Sequence, residues 1–272
     1  MSIKAIYLPH LRRSVFLGGR RRPAPDAKKL KLSKYLCPGP ALPPPPSALD
    51  LSAAGQPGLS NVFLNDRLGC CVIAAGAHIV ALETGNAGAE FVYTDGEITE
   101  NYSAIGGYVP GDPSTDNGCD EVTAFQYWQK TGFANGTKLA AWFSLDPTNQ
   151  AEIATAAWLT ENLFFGCELP DTWLSPFPSA PGFVWDVATP DPSNGHAFMC
   201  PAKFDPSGVQ VDTWGLIGTI TWAAVAALCA PGAGGELYAL LTPDQLAKAT
   251  QKAPNGLDWA SLQADLAALR AA

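Results

Sequence analysis

The run CVIAAGAHIVALE at residues 71–83 is almost uncharged and Ala-rich, and it lacks two-residue alternation. That pattern predicts a helix buried on most of its sides, ended by Thr84-Gly85-Asn86. A second helix is predicted over Asp120 to Thr131, where Val122, Phe125 and Trp128 recur at three-residue steps and Gly132 acts as a stop signal. A third spans Thr148 to Asn162 behind Asp146-Pro147. The pattern then turns to strands at Leu163 to Leu169, Ala197 to Phe204 and Gly208 to Trp214, the last two joined by the hairpin turn Asp205-Pro206-Ser207-Gly208. Leu237 to Leu241 adds another strand. Helices over Thr221 to Cys229, Pro243 to Gln251 and Asp258 to Arg270 finish the chain, the last with Leu262, Leu266 and Leu269 on one face. Helices first and strands later predict an α+β fold rather than alternating βαβ units. No repeat of fixed period is present.

Composition sets the scale of the molecule. With 272 residues, 47% of them hydrophobic and 15% charged, the chain fits one large domain, or one domain plus an arm. The longest apolar runs fall well short of the roughly 20 residues of a membrane-spanning helix, so no membrane association is expected. Arginines interrupt every apolar stretch near the N-terminus, which argues against a secretory signal and for a cytoplasmic protein. Seven cysteines, an odd number, then predict mostly reduced thiols. None is spaced C-x-x-C, and the histidines are His10, His78 and His196, so neither a metal site nor a cofactor is expected. No Gly-rich phosphate loop precedes a helix with Lys-Ser/Thr, so nucleotide chemistry is not suggested.

The net charge of −8 hides an asymmetry. Lys4, Arg12, Arg13, Arg20, Arg21, Arg22, Lys28, Lys29, Lys31 and Lys34 face the single acid Asp26, which gives residues 1–34 a charge of +9 and leaves −17 on the rest. A Pro-rich stretch, Cys37 to Pro46, follows as an extended spacer. Residues 1–46 therefore form a basic, Pro-rich arm and residues 47–272 the folded domain. The arm is expected to dock on an acidic protein surface, that of its own domain or of a partner. Nucleic acid is disfavoured because the acidic body repels phosphate.

Cys71 is the candidate nucleophile, since it opens the buried helix where unpaired N–H groups and the macrodipole favour a thiolate and lower the thiol pKa. His78 lies seven residues along the same helix, about 10 Å away at 1.5 Å per residue, and does not reach it. His10 belongs to the arm, so by elimination the base is His196, at the mouth of a strand. Asp212 sits on the next hairpin strand, where cross-strand pairing would orient the imidazole. Each residue also has a plain structural role open to it: Cys71 as a small buried hydrophobe, His196 as a surface side chain, Asp212 as an exposed strand residue.

These residues resemble the papain-like cysteine peptidases. Pro46-Ser47-Ala48-Leu49-Asp50-Leu51-Ser52 is similar to the start of their mature chains, and Asn65-x-x-x-Gly69-Cys70-Cys71 to their Gln-x-x-x-Gly-x-Cys block, with Asn in place of Gln. Asn117-Gly118-Cys119-Asp120, Gly195-His196-Ala197 and Thr213-Trp214-Gly215 match three further blocks in the family's order. The resemblance implies a papain-like fold, with an N-terminal helical half carrying the nucleophile helix, a C-terminal antiparallel sheet half and a C-terminal helical extension. It implies Cys71 as nucleophile, His196 as base, Asp212 as its orienter and Asn65 as an oxyanion donor, with Trp214 shielding the His196–Asp212 bond. It also implies a thiol-dependent hydrolase acting on a peptide or amide by acyl transfer. There are departures: Leu68 replaces a cysteine, leaving Cys119 without its disulfide partner, Val72 replaces the Trp after the nucleophile, and Asp212 replaces an Asn. The sequence is also similar to bacterial and phage papain-fold proteins. The alternatives are therefore an inert structural or interaction protein, in a phage particle for example, and a transglutaminase-like acyl transferase.

Overall fold

Strands β1 (Ala5–Leu8) and β2 (Arg13–Phe16) open the chain as an antiparallel hairpin, followed by the short β3 (Leu49–Asp50) and α1 (Gln56–Leu59). The computed structural model describes residues 5–25, 27–37, 42–252 and 257–271. The apolar run becomes α2 (Cys71–Asn86), buried at every position from Cys71 to Glu83. Helix α3 (Asp95–Gly106) was not predicted from hydrophobic periodicity. It is polar, and its ends define it instead: a capping box between Thr94 and Glu97 starts it, and left-handed Gly107, at φ 75°, ends it. Asp120 caps α4 (Glu121–Lys130) by accepting from the Thr123 N–H.

The sheet half contains β4 (Ala141–Ser144), α5 (Gln150–Thr160), β5 (Leu163–Glu168), α6 (Asp171–Leu174), β6 (Phe183–Trp185), β7 (Gly195–Cys200), β8 (Lys203–Asp205), β9 (Gly208–Thr213), β10 (Leu216–Thr221), α7 (Trp222–Leu228) and β11 (Glu236–Leu241). Helices α8 (Pro243–Lys252) and α9 (Trp259–Ala271) follow. The strand expected over Ala197 to Phe204 is broken in two, because Pro201 has no N–H for the ladder and Ala202 takes φ 45°. β4, β6 and β10 are additions to the predicted set. The strand order is β3-β8-β9-β7-β5-β11-β4, with β10 on β9 and β6 on β10; among the described strand pairs only β6–β10 is parallel. Residues 38–41 of the Pro-rich spacer, and the Leu266 and Leu269 side chains on the predicted apolar face of α9, lie outside the described residues.

Alternation along the central strands divides two cores. Ala197 and Met199 of β7, Phe164 of β5 and Tyr238 and Leu240 of β11 face α2 and α4. Phe198, Phe165, Leu237 and Ala239 face the opposite core, which also takes Leu8, Val15, Leu32 and Tyr35. Residues within the expected arm are thus part of the folded body: Tyr35 and Leu8 are fully buried. Between α4 and the sheet, Phe125 meets Phe164, Tyr238 and Trp142 with ring centroids 5.0 to 5.5 Å apart. Phe125→Ala should cost about 3–5 kcal/mol, read as a fall in the urea midpoint with little change in slope.

Candidate active site

Two loops frame the N-terminus of α2. Asp116 accepts from the Gly69 N–H at 2.9 Å and from the Tyr102 hydroxyl at 2.6 Å, and that hydroxyl in turn accepts from the Gly118 N–H at 2.8 Å. These bonds join the segment before Cys71 to the Gly118-Cys119 loop without a disulfide, and every cysteine is a free thiol.

Cys71 is the first residue of α2, and its thiol is set against the backbone N–H of Ala197, one residue beyond His196. The helix terminus does not lower its pKa as expected. Burial pushes the thiol up to about 12, outweighing the N–H groups of Ala197 and Val72 that favour the thiolate. His196 is buried too, and burial pushes its pKa down to about 3. Both groups are therefore neutral in this state.

The Nε2 of His196 lies 2.8 Å from Thr213 Oγ1, and its ring stacks on Trp214 at 4.0 Å. In the tautomer protonated at Nε2, the imidazole donates to Thr213 and keeps Nδ1 as a base. Asp212, the expected orienter, does not fill this role. It pairs with Met199 in the ladder and shares that residue's face, whereas His196, three residues earlier on β7, points to the other. Thr213, one residue on, reaches the His196 side. Trp214 covers the His196–Thr213 contact instead of a His196–Asp212 bond. Its indole Nε1 donates to the Asn65 carbonyl at 3.1 Å, which ties buried Asn65 and the loop before α2 to the histidine's stacking partner.

Asp212 points at α2 instead. One carboxylate oxygen lies 3.3 Å from His78 Nδ1, but that nitrogen is bonded to the Gly58 carbonyl at 3.1 Å, so neither Asp212 oxygen has a hydrogen-bond partner among the described residues. Burial holds the Asp212 carboxyl well above the usual carboxylate range and lowers His78 to about 3.

The N-terminal segment crosses the same ground. The N–H groups of Gly18 and Arg20 point to the Gly195 carbonyl at 3.2 and 3.5 Å. On the other side, the Cys119 N–H donates to Gly19 O at 3.1 Å and the Arg21 N–H to Cys119 O at 3.0 Å, a parallel bridge. Glycines permit this closeness: a Cβ on Gly19 would lie 2.5 Å from Gly69 O, and one on Gly118 2.2 Å from Gly19 O. Side chains fasten the segment further. Arg13 pairs with Asp66, Arg22 makes a two-pronged contact with Glu168, and His10 Nε2 lies 3.0 Å from Trp214 O. Nothing in the sequence assigned Arg20 or Glu121 a role at the site, and Thr213 had only a place in the Thr213-Trp214-Gly215 block. The order Asn117-Gly118-Cys119-Asp120-Glu121 was the only signal that could have found Glu121, and nothing local marks Arg20 among the ten basic residues of the arm.

The buried Asp212 gives a pH test. The folded state holds its proton to a higher pH than the unfolded chain, whose carboxylate titrates at about 3.9, so folding loses stability as pH rises from there toward the folded-state value. Asp212→Asn has no proton to lose. Denaturant midpoints measured from pH 4 to 7 should diverge with rising pH in favour of the variant, and parallel curves would refute a neutral Asp212.

No protein-family model matches the chain, and no curated protein matches it. Solved structures do. Xylellain, a cysteine protease from Xylella fastidiosa, superposes with a TM-score of 0.61 at 14% identity, covering 83% of this chain and 96% of that one. Procathepsin B S9 of Trypanosoma congolense gives 0.57 at 9% identity (83% and 86% covered), and procathepsin L2 from the Tenebrio molitor larval midgut 0.54 at 15% (83% and 78%). With the helical half carrying Cys71 packed on a mostly antiparallel sheet carrying His196, the chain has the papain-like fold of cysteine proteases.

Proposed function

We propose that the protein is a thiol peptidase held closed by its own N-terminal segment. The observation that carries this is the passage of Gly18 to Arg21 between Gly195 and Cys119, hydrogen-bonded on both sides as a bound peptide would be. Two of the similar structures are themselves proforms by name. In the open protein, solvent reaches Cys71 and His196, and the helix N-terminus regains its influence on the thiol. Cys71 Sγ attacks the peptide carbonyl while His196 Nδ1 takes the thiol proton. The oxyanion is met by the Cys71 backbone N–H, which has no partner within the helix, and by the Asn65 amide; such a donor contributes about 3–4 kcal/mol to barrier lowering. The imidazolium returns the proton to the leaving amine, and water then hydrolyses the thioester by the reverse relay. Thr213 and Trp214 hold the ring. An amine in place of water would make the same thioester a transferase intermediate.

Gly19→Val tests the proposal on the segment side alone, because the added carbon would meet the backbone of Gly69, which cannot give way. Iodoacetamide should then label Cys71 faster than in the parent and faster than Cys70, and peptide hydrolysis should appear. Adding Cys71→Ser should abolish it. Labelling at the parent rate with no hydrolysis would establish the inert alternative. In the Gly19→Val background, Thr213→Val should lower kcat by on the order of 100-fold through a misdirected imidazole. Asp212→Asn should leave kcat near its value.

A further inference from the structure

Arg20 is the one residue of the crossing segment whose side chain is swallowed whole: it is 1% exposed, against Glu121 at 0%. Its Nε donates to Glu121 Oε1 at 2.5 Å and its Nη1 to the Gly234 carbonyl at 2.8 Å, while Nη2 lies 4.0 Å from Glu236. The cavity is shaped for this group. A Cβ on Gly166 of β5 would sit 1.3 Å from Glu121 Oε1 and 2.7 Å from Arg20 Nε, so only glycine leaves the space in which they meet. Among the described residues Glu121 Oε2 has no hydrogen-bond partner, so the pocket keeps acceptor capacity that Arg20 does not use, and Arg20 Nη2 is a donor that the wall leaves unmet. Even with the guanidinium beside it, burial lifts the Glu121 carboxyl to about 7, so an apolar occupant would leave a badly solvated acid behind.

The geometry points to a specificity pocket: the cavity walled by Glu121, Gly166, Gly234 and Glu236 takes the arginine side chain of a peptide bound between Cys119 and Gly195, and Arg20 fills it within the same chain. This rests on the peptidase reading for the peptide's fate, but the pocket's chemistry is independent of it. Arginine is favoured over lysine because Glu121 and the Gly234 carbonyl are met by different nitrogens of one planar fork, which a single ammonium point does not reproduce.

The test uses full-length Arg20→Ala with ethylguanidinium and ethylammonium as probes. Ethylguanidinium should raise its thermal midpoint at concentrations where ethylammonium does not, and the difference should vanish in Arg20→Ala/Glu121→Gln. Equal effects, or none, overturn the proposal. Should Arg20→Ala fail to fold, Glu121→Gln in the otherwise intact chain should speed trypsin cleavage at Arg20 to Arg22, and unchanged protection overturns it. With Gly19→Val/Arg20→Ala, peptide amides carrying Arg, Lys or Leu at either residue before the scissile bond should show arginine preferred in kcat/KM by about tenfold or more. Rescue by ethylguanidinium without turnover of any peptide overturns the peptidase reading and the pocket's substrate role, while leaving its guanidinium selectivity standing. Turnover without arginine preference overturns the pocket alone.

Discussion

Burial of the Arg20 guanidinium against Glu121 is the contact on which arm, cleft and thiol all depend. Two charges removed from water gain little net stability from one another, yet a lone buried Glu121 would be strongly unfavourable, so occupant and pocket constrain each other. The constraint spreads along the backbone. With Arg20 seated, Gly19 is pressed on Gly69 and Gly118, Gly18 and Arg20 reach Gly195, and Cys71 and His196 are both buried. Exclusion of water then raises the thiol and lowers the imidazole, which keeps the two residues uncharged.

The sheet supplies the second constraint. Because successive residues face opposite cores, a shift of one position decides which side chain meets His196. That parity gives the histidine a hydroxyl partner, Thr213, and sends the carboxyl of Asp212 into the helical core beside His78. A neutral hydroxyl orients an imidazole without stabilising an imidazolium as a carboxylate would. The relay proposed here therefore relies on placement and shielding by Trp214 more than on charge.

Where Leu68 stands in place of a cysteine, the Gly69–Asp116–Tyr102–Gly118 chain of hydrogen bonds joins the same two loops. Such bonds need no oxidising compartment. The papain-like scaffold establishes where a nucleophile would sit; chemistry at the site is a matter of the residues present and of what opens it.

The sequence alone determined the helices at α2, α4 and α5, the strands at β5, β7 and β9, the α+β class and the prominence of Cys71 and His196. Each rests on local pattern: unbroken apolar runs, three-residue recurrence, stop signals and motif spacing. The basic arm was legible as charge, but where that charge goes was not, because ten cations look alike until tertiary structure buries one of them. α3 escaped notice because its stability lies in its caps, and the break at Pro201-Ala202 set the ladder register that one continuous strand would have changed. Only the folded chain decided that Thr213 rather than Asp212 meets His196, that Arg20 finds Glu121, and that burial outweighs the helix terminus at Cys71. Those outcomes depend on register, on close approach between distant glycines and on exclusion of water, which are properties of segments far apart in sequence brought into contact.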